Sequence, residues 1–294
     1  MLGRVYATRG PIALPSALIS LDFEGLPYIV SSRHQLGPDG RLWGEARRIA
    51  TKLAKLVSQK LIEAGYEKVI VADSHGLMIN IEPLEFPRGV VLVTGFPRAS
   101  PAMVPLVESV DVAIFLGYHA RAGERSVLAH TYAGRYVEEV VVNGMPASEY
   151  LLNALYLGEN GIPVGLVAGS AELMEEVERY TPWAERVVLK RSLGFLAAVS
   201  PSLQDLEEAL VKALQAMNEK LEKGELKPLK PKTPVEVTIR LTSPLYADVS
   251  ELLPGARRVD GRTIAYKAET MEQAMRMLEL LLYAWVGAAS IAGK

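Results

Sequence analysis

Two carboxylates and four histidines carry most of the chemistry that this 294-residue chain can offer. Asp22 and Glu24 follow the apolar run ALISL at residues 17–21. In an extended chain, side chains two apart share a face, so both acids can converge on one point. Charges beside a core are costly unless compensated, so the pair is either a solvated strand end or one half of a cation site. Of the histidines, His34, His75, His119 and His130, two close apolar runs: VIVADSH ends on His75 and VAIFLGYH on His119. A lone histidine is ordinarily structural or solvated, and His34, in a Ser/Gly/Pro-containing loop, reads that way. Two that terminate strands opposite an acidic pair fit a site better, because open α/β sheets gather ligands at the carboxyl ends of their strands. The chain has no cysteine. A metal must therefore be held by imidazole and carboxylate, a donor set that suits Zn2+, Mn2+, Co2+ or Fe2+. A carboxylate can bridge two such ions, and a two-metal site serves hydrolysis by activating water and stabilising the developing oxyanion.

The elements that must position these groups alternate along the chain. An amphipathic helix over 42–65, closed by Gly65 as a C-cap, precedes the strand KVIVADS. Strands follow at GVVLVTG and DVAIFLGY, and RYVEEVVVNGMPA carries Asn143-Gly144, a hairpin turn. A helix from Ser148 runs to about 161, followed by the strand PVGLVAG, a helix over 170–180 and the strand RVVLKR. Strands separated by helices imply an α/β fold, a mostly parallel sheet flanked by helices. Beyond 200 come a long helix over 202–224, the Lys/Pro linker LKPLKPK, the strand VEVTIRLT, a hairpin turning on Asp260-Gly261 and a closing helix from Met271. This pattern predicts a metal-binding α/β catalytic domain over 1–200 and a smaller α+β domain over 201–294.

Composition narrows the function classes. Apolar residues make up 49% and charged residues 22%, as in a compact globular protein. A net charge of −2 gives no electrostatic case for nucleic acid or an acidic membrane surface. The N-terminal stretch resembles a signal peptide only superficially, since Pro11 and Pro15 interrupt its apolar run. The apolar stretch at 280–292 is shorter than the ~20 residues that span a bilayer. A cytoplasmic location is expected. Scarce Asn and Gln beside plentiful Glu, Lys and Arg point to a thermophilic source.

The segments SLDFEG, ADSHG, FLGYHARAG, LAHTYAG and ASEYLLNALY, in this order and spacing, resemble the zinc-dependent D-aminopeptidase family of the DppA type. The resemblance spans 17–200 and continues weakly beyond. It implies two Zn2+ per subunit: Asp22 bridging, Glu24 and His75 completing one site, His119 and Glu149 the other. It also implies that His130 is the catalytic histidine, as nucleophile or general base. Imidazole's affinity for protons near neutrality favours the base. The expected activity is hydrolysis of short peptides or amides that begin with a D-amino acid of the D-Ala type, by metal-activated water. The expected assembly is a ring-like homo-oligomer that admits only small peptides. Without the resemblance, Glu149 reads as a first-turn glutamate favoured by the helix dipole. Asp73 reads as a strand-end turn former. Asn153 shares the helix face of Glu149, and Tyr118 and Arg121 flank His119. The segment after Gly25, LPYIVSSRHQLGPDGRLWG, departs from the family pattern. Such loops shape pockets, so the metal chemistry transfers more firmly than the D-amino-acid preference. Two alternatives stay open: a metal-dependent amidase or other hydrolase on a different small substrate, and a catalytically silent, metal-stabilised assembly protein. A substrate panel separates the first; the second conflicts with His130, which a structural zinc site does not need.

Overall fold

The computed structural model describes residues 14–84, 86–98 and 101–293, so most of the signal-like N-terminal stretch lies outside the described residues. In chain order the elements are β1 (Ser16–Leu21), α1 (Ser32–Gln35), α2 (Trp43–Glu63), β2 (Lys68–Asp73), β3 (Val90–Val93), β4 (Val112–Tyr118), β5 (Val137–Val142) and β6 (Met145–Pro146). There follow α3 (Glu149–Glu159), β7 (Val164–Ser170), α4 (Leu173–Tyr180), β8 (Glu185–Gly194), β9 (Ala197–Val199) and α5 (Leu203–Glu222). The chain ends with β10 (Val235–Leu241), α6 (Pro244–Ser250), β11 (Arg257–Asp260), β12 (Thr263–Ala268) and α7 (Met271–Ile291).

The α/β architecture expected from the alternation is present. The first sheet has the order β3-β2-β1-β4-β7-β8-β9, parallel throughout except for β9. β1 is buried at every position because both of its faces are covered. Ala17, Ile19 and Leu21 pack in the core with α2 and α5, while Leu18 enters the core on the opposite face. β2 and β3 extend the sheet on one side of β1, and β4, β7 and β8 on the other. The crevice that such a reversal opens at the carboxyl ends lies between β1 and β4.

The second sheet, β11-β12-β10-β5-β6, is antiparallel. Its β5–β6 hairpin turns on Asn143-Gly144, both with left-handed backbone (φ 49° and 80°), as a two-residue turn of this kind requires. The expected boundary at residue 200 is corrected here, because it does not follow the sheets. β10 hydrogen-bonds to β5, so residues before 200 form the second sheet's other half. α5, from beyond 200, lays Leu206, Leu210, Leu214 and Met217 on the first sheet. The physical reason is pairing at long range: β5 offers an open edge, and the apolar stripe of α5 matches the face that α2 leaves uncovered. α3 is buried over residues 149–158, with Leu151, Leu152 and Leu155 in a core that also takes side chains from both sheets. α7 is long and apolar enough, by length and composition, to cross a membrane; here it sets Met271, Met275, Leu278, Leu281 and Trp285 into the same core. α1, α6 and β9 are too short to leave a periodic signal in the sequence.

Candidate metal centre

Backbone hydrogen bonds between strand ends bring the cluster together. Asp22 N–H donates to Leu116 O (2.8 Å), Gly25 N–H to Gly117 O (2.7 Å) and Ser74 N–H to Leu21 O (2.8 Å). The ends of β1, β2 and β4 are thereby locked in register. The contact between the β1 and β4 ends is so close that a Cβ on Gly25 would lie 1.8 Å from Tyr118 O, and one on Gly117 (φ 79°) 2.0 Å from Asp22 O. Glu149 is delivered by α3, whose N-cap Ser148 accepts a hydrogen bond from Leu151 N–H (3.1 Å). His130 lies on a loop between Leu128 and Tyr132, both with left-handed backbone (φ 54° and 60°).

All five expected ligands and His130 meet at one place. Asp22 Oδ1 is 3.3 Å and Glu24 Oε2 2.9 Å from His75 Nδ1. Asp22 Oδ2 is 3.4 Å and Glu149 Oε1 3.7 Å from His119 Nε2. His130 Nε2 is 3.5 Å from Glu149 Oε1 and 3.9 Å from Glu24 Oε1. Asp22, Glu24, His75, His119 and Glu149 are buried, whereas the His130 side chain keeps 23% of its surface exposed. The His119 and His130 rings stack at 4.3 Å, and Phe23 stacks on His75 at 4.9 Å.

Each imidazole is oriented through its other nitrogen. His75 Nε2 lies 2.9 Å from Leu36 O, His119 Nδ1 2.9 Å from Ala120 O, and His130 Nδ1 3.0 Å from Leu128 O. With the proton on the nitrogen that faces the carbonyl, the remaining lone pair of each ring points into the cluster, as in metal-binding histidines. Asp22 Oδ2 and His119 Nε2 are buried with no hydrogen-bond partner among the described residues. Unpartnered buried acceptors that converge on one another are costly, and a cation removes that cost. Two triads, Asp22/Glu24/His119 and His119/His130/Glu149, each hold donor atoms within 4.8 Å of one another. The residues therefore fit Zn2+ or a similar ion. Tyr132 N–H donates to Glu149 Oε1 (2.6 Å) and fixes that carboxylate.

Among these groups burial pushes the Asp22 carboxyl up, and the charge of Glu24 adds to the effect. Burial opposes ionisation of Glu24 as well, but His75 outweighs it, with help from His130 and His119, and holds that carboxyl low. Against the lowering effect of burial, Glu24 and Asp22 raise His75. Burial and the neighbouring His130 lower His119.

The cluster opens on a cavity of about 370 Å3, lined by Asp22, Glu24, His75, His130 and Glu149 on one side and by mostly apolar side chains on the other. Asp73 acts as the turn former expected: its carboxylate accepts from Asn80 Nδ2 (2.9 Å) and Ile81 N–H (3.0 Å). Asn153 is buried behind the cluster, donating to Tyr118 Oη (3.3 Å). Tyr118 turns into the core, Arg121 pairs with Glu124, and neither lines the cavity. His34 lies on α1, outside the cluster. Sequence reasoning missed the far wall, including Met78, Phe96, Met103 and, from α7, Glu279. The one available signal for Glu279 is an acid inside the apolar run MRMLELLLYAW. It also missed Lys190, fully buried within β8, whose ammonium donates to Ile29 O.

Carboxylates and imidazoles at the carboxyl ends of parallel strands, opening on a cavity, define a metal-dependent hydrolase type of centre. The chain belongs to the D-aminopeptidase family, peptidase family M55, which matches residues 16–280. It is 27% identical to the D-aminopeptidase of Bacillus subtilis (strain 168) over 265 residues, which cover 88% of this chain and 94% of the relative. Its fold is similar to that of the solved Zn-dependent D-aminopeptidase DppA from Bacillus subtilis, described as a self-compartmentalizing protease. The TM-score is 0.86 at 24% identity, over 92% of this chain and 97% of that one.

Proposed function

We propose that the chain is a dinuclear zinc aminopeptidase that removes an N-terminal D-amino acid from short peptides or amides. The observation that carries this reading is the orientation of Asp22. Its two oxygens face two different histidines, Oδ1 toward His75 and Oδ2 toward His119, as a carboxylate shared between two ions would. Glu24 and His75 would complete one site, and His119 and Glu149 the other. Bound there, the ions supply Lewis acidity to the scissile carbonyl and acidify water.

The protein's own groups do the rest. His130 is held through Nδ1 by Leu128 O, so Nε2 presents its lone pair to the cavity. It takes the proton of the attacking water and returns it to the departing amine. The imidazolium formed in between is stabilised by Glu24 and Glu149, which flank Nε2. Tyr132 N–H keeps Glu149 from rotating away.

A homo-oligomeric ring is part of the proposal. It is supported by the self-compartmentalizing description of the Bacillus subtilis structure. Exposed Leu193, Phe195 and Leu196 on the β8–β9 hairpin are the kind of apolar patch that marks an interface. Light scattering on the purified chain should give a multiple of 32.0 kDa. The activity is tested by offering zinc-loaded protein D- and L-aminoacyl amides, acyl amides and p-nitrophenyl phosphate. Hydrolysis of the D-aminoacyl amides that stops on chelation supports the reading. Activity that survives exhaustive chelation, or turnover confined to the acyl amides or the phosphoester, refutes it.

A further inference from the structure

The carbonyl that orients His75 comes from a segment with little regular structure of its own. Leu36 O lies 2.9 Å from His75 Nε2, and Leu36 also lines the cavity. The stretch from Gly25 to Trp43 that carries it contains one turn of helix, α1. A helix that short does not hold its own end in place. Gln35, the neighbour of Leu36, supplies the missing bonds. It keeps only 5% of its surface exposed, although glutamine is ordinarily solvated. Its Oε1 accepts Val30 N–H (2.9 Å) and Ser31 N–H (3.0 Å), and its Nε2 donates to Tyr28 O (3.0 Å). Between these residues, Ile29 O accepts the buried Lys190 ammonium from β8. Tyr28 has left-handed backbone (φ 66°); its N–H donates to Ser200 Oγ (3.2 Å) and its hydroxyl to Pro201 O (2.7 Å). Beyond Leu36, Leu42 N–H donates to His34 O (2.8 Å).

These contacts run in one direction, toward the centre. Gln35 and Lys190 hold residues 28–31, those residues hold α1, and α1 sets Leu36 O on the His75 ring. With Nε2 engaged there, Nδ1 faces Glu24 Oε2 (2.9 Å) and Asp22 Oδ1 (3.3 Å). The partner behind a ligating histidine fixes the ring and raises its basicity, and losing it costs about 10–100-fold in metal affinity. We propose that Gln35 is a positioning residue of the metal centre, which with Lys190 fixes the Leu36 carbonyl against His75. The segment is the one that departs from the family pattern, so the resemblance does not assign this role. The effect on metal rests on the dinuclear reading of the centre. The effect on the ring rests on the hydrogen bonds alone.

The test follows the imidazole ring protons of the full chain, labelled with 15N at histidine, by solvent exchange in NMR. Gln35→Ala removes three hydrogen bonds around the loop and should speed exchange of the His75 Nε2 proton at least about tenfold. The His119 ring proton, held by Ala120 O on a different loop, should stay within about threefold. Lys190→Met should act in the same direction on His75. Ile264→Ala, a truncation in the buried face of β12, controls for general destabilisation and should leave the His75 proton within about threefold of wild type. Zinc titration against a chelator should show one of two ions weakened about 10–100-fold in Gln35→Ala, with the other within about threefold. A merely structural role would lower the melting temperature without singling out one ring or one ion. Unchanged exchange at His75, equal acceleration at His119, or faster exchange with both ions held as in wild type overturns the proposal. If the wild-type protein binds no zinc, the dinuclear reading fails, and ring exchange in the metal-free chain still decides the role of Gln35.

Discussion

Gly25→Ala perturbs the centre without touching a ligand. The new Cβ would lie 1.8 Å from Tyr118 O and 2.5 Å from Tyr118 C. Ordinary contacts begin near 3.4 Å, so the β1 and β4 ends must part by roughly 1.6 Å, the difference between 3.4 and 1.8. Both clashing atoms are backbone and cannot rotate aside. The separation breaks the Gly25–Gly117 hydrogen bond, which costs about 1 kcal/mol, and the overpacking adds about 1–3 kcal/mol. The metal-free protein should therefore lose about 2–4 kcal/mol. The larger effect falls on the ions. Asp22 and His119 sit on the two ends being driven apart, with 3.4 Å between their donor atoms, and metal–ligand distances tolerate only about ±0.2 Å. Zinc affinity should fall at least about 100-fold, the upper end of what lost outer support costs. Competition against a chromophoric chelator measures it, beside denaturant unfolding of the metal-free protein. Gly44→Ala is the control, because its Cβ would meet nothing within 4 Å and it lies in α2. It should stabilise the protein by about 0.5–1 kcal/mol. Gly25→Ala with zinc affinity within threefold of wild type would refute the claim that the backbone contact sets the ligand geometry.

Two further outcomes are expected. His130→Ala should lower kcat by about 100-fold or more while zinc content is retained; full activity in the variant would remove His130 from the proton-transfer role. Burial pushes the Lys190 ammonium down to about 7 from an ordinary 10.5, against the pull of Glu24 and Asp22. The unfolded chain therefore binds the extra proton between about pH 7 and 10.5, so stability rises with pH across that window, by up to roughly 5 kcal/mol for this group. Denaturant unfolding at pH 7 and pH 9.5 should show that rise in wild type and its loss in Lys190→Met; parallel pH profiles would contradict it.

Much of the centre is legible from residue types alone. Asp22, His75 and His119 each end an apolar run, and parallel pairing carries such ends to one edge whatever the loops do. Glu149 is different. Its chemistry is indistinguishable from a glutamate that merely suits a helix N-terminus, and only the resemblance in motif order singles it out. Its placement depends on the β5–β6 hairpin, which is held by β10 from far along the chain. The same long-range pairing defeats a domain boundary drawn at the change of texture near residue 200. The far wall of the cavity fails for a similar reason. Glu279 reaches the centre only because α7 packs against α3, and no local pattern in MRMLELLLYAW encodes that contact. Lys190 looks like an ordinary strand-end lysine, and its burial follows from the loop after β1 folding over it.

The central claim is that Asp22 holds two ions together. Counting zinc per chain after equilibrium dialysis, in wild type and in Asp22→Ala, tests it most directly. The account predicts two ions per wild-type chain and loss of both at matched free zinc in the variant, because the shared ligand serves each. A wild-type count of one, or a variant that still retains two, would contradict it.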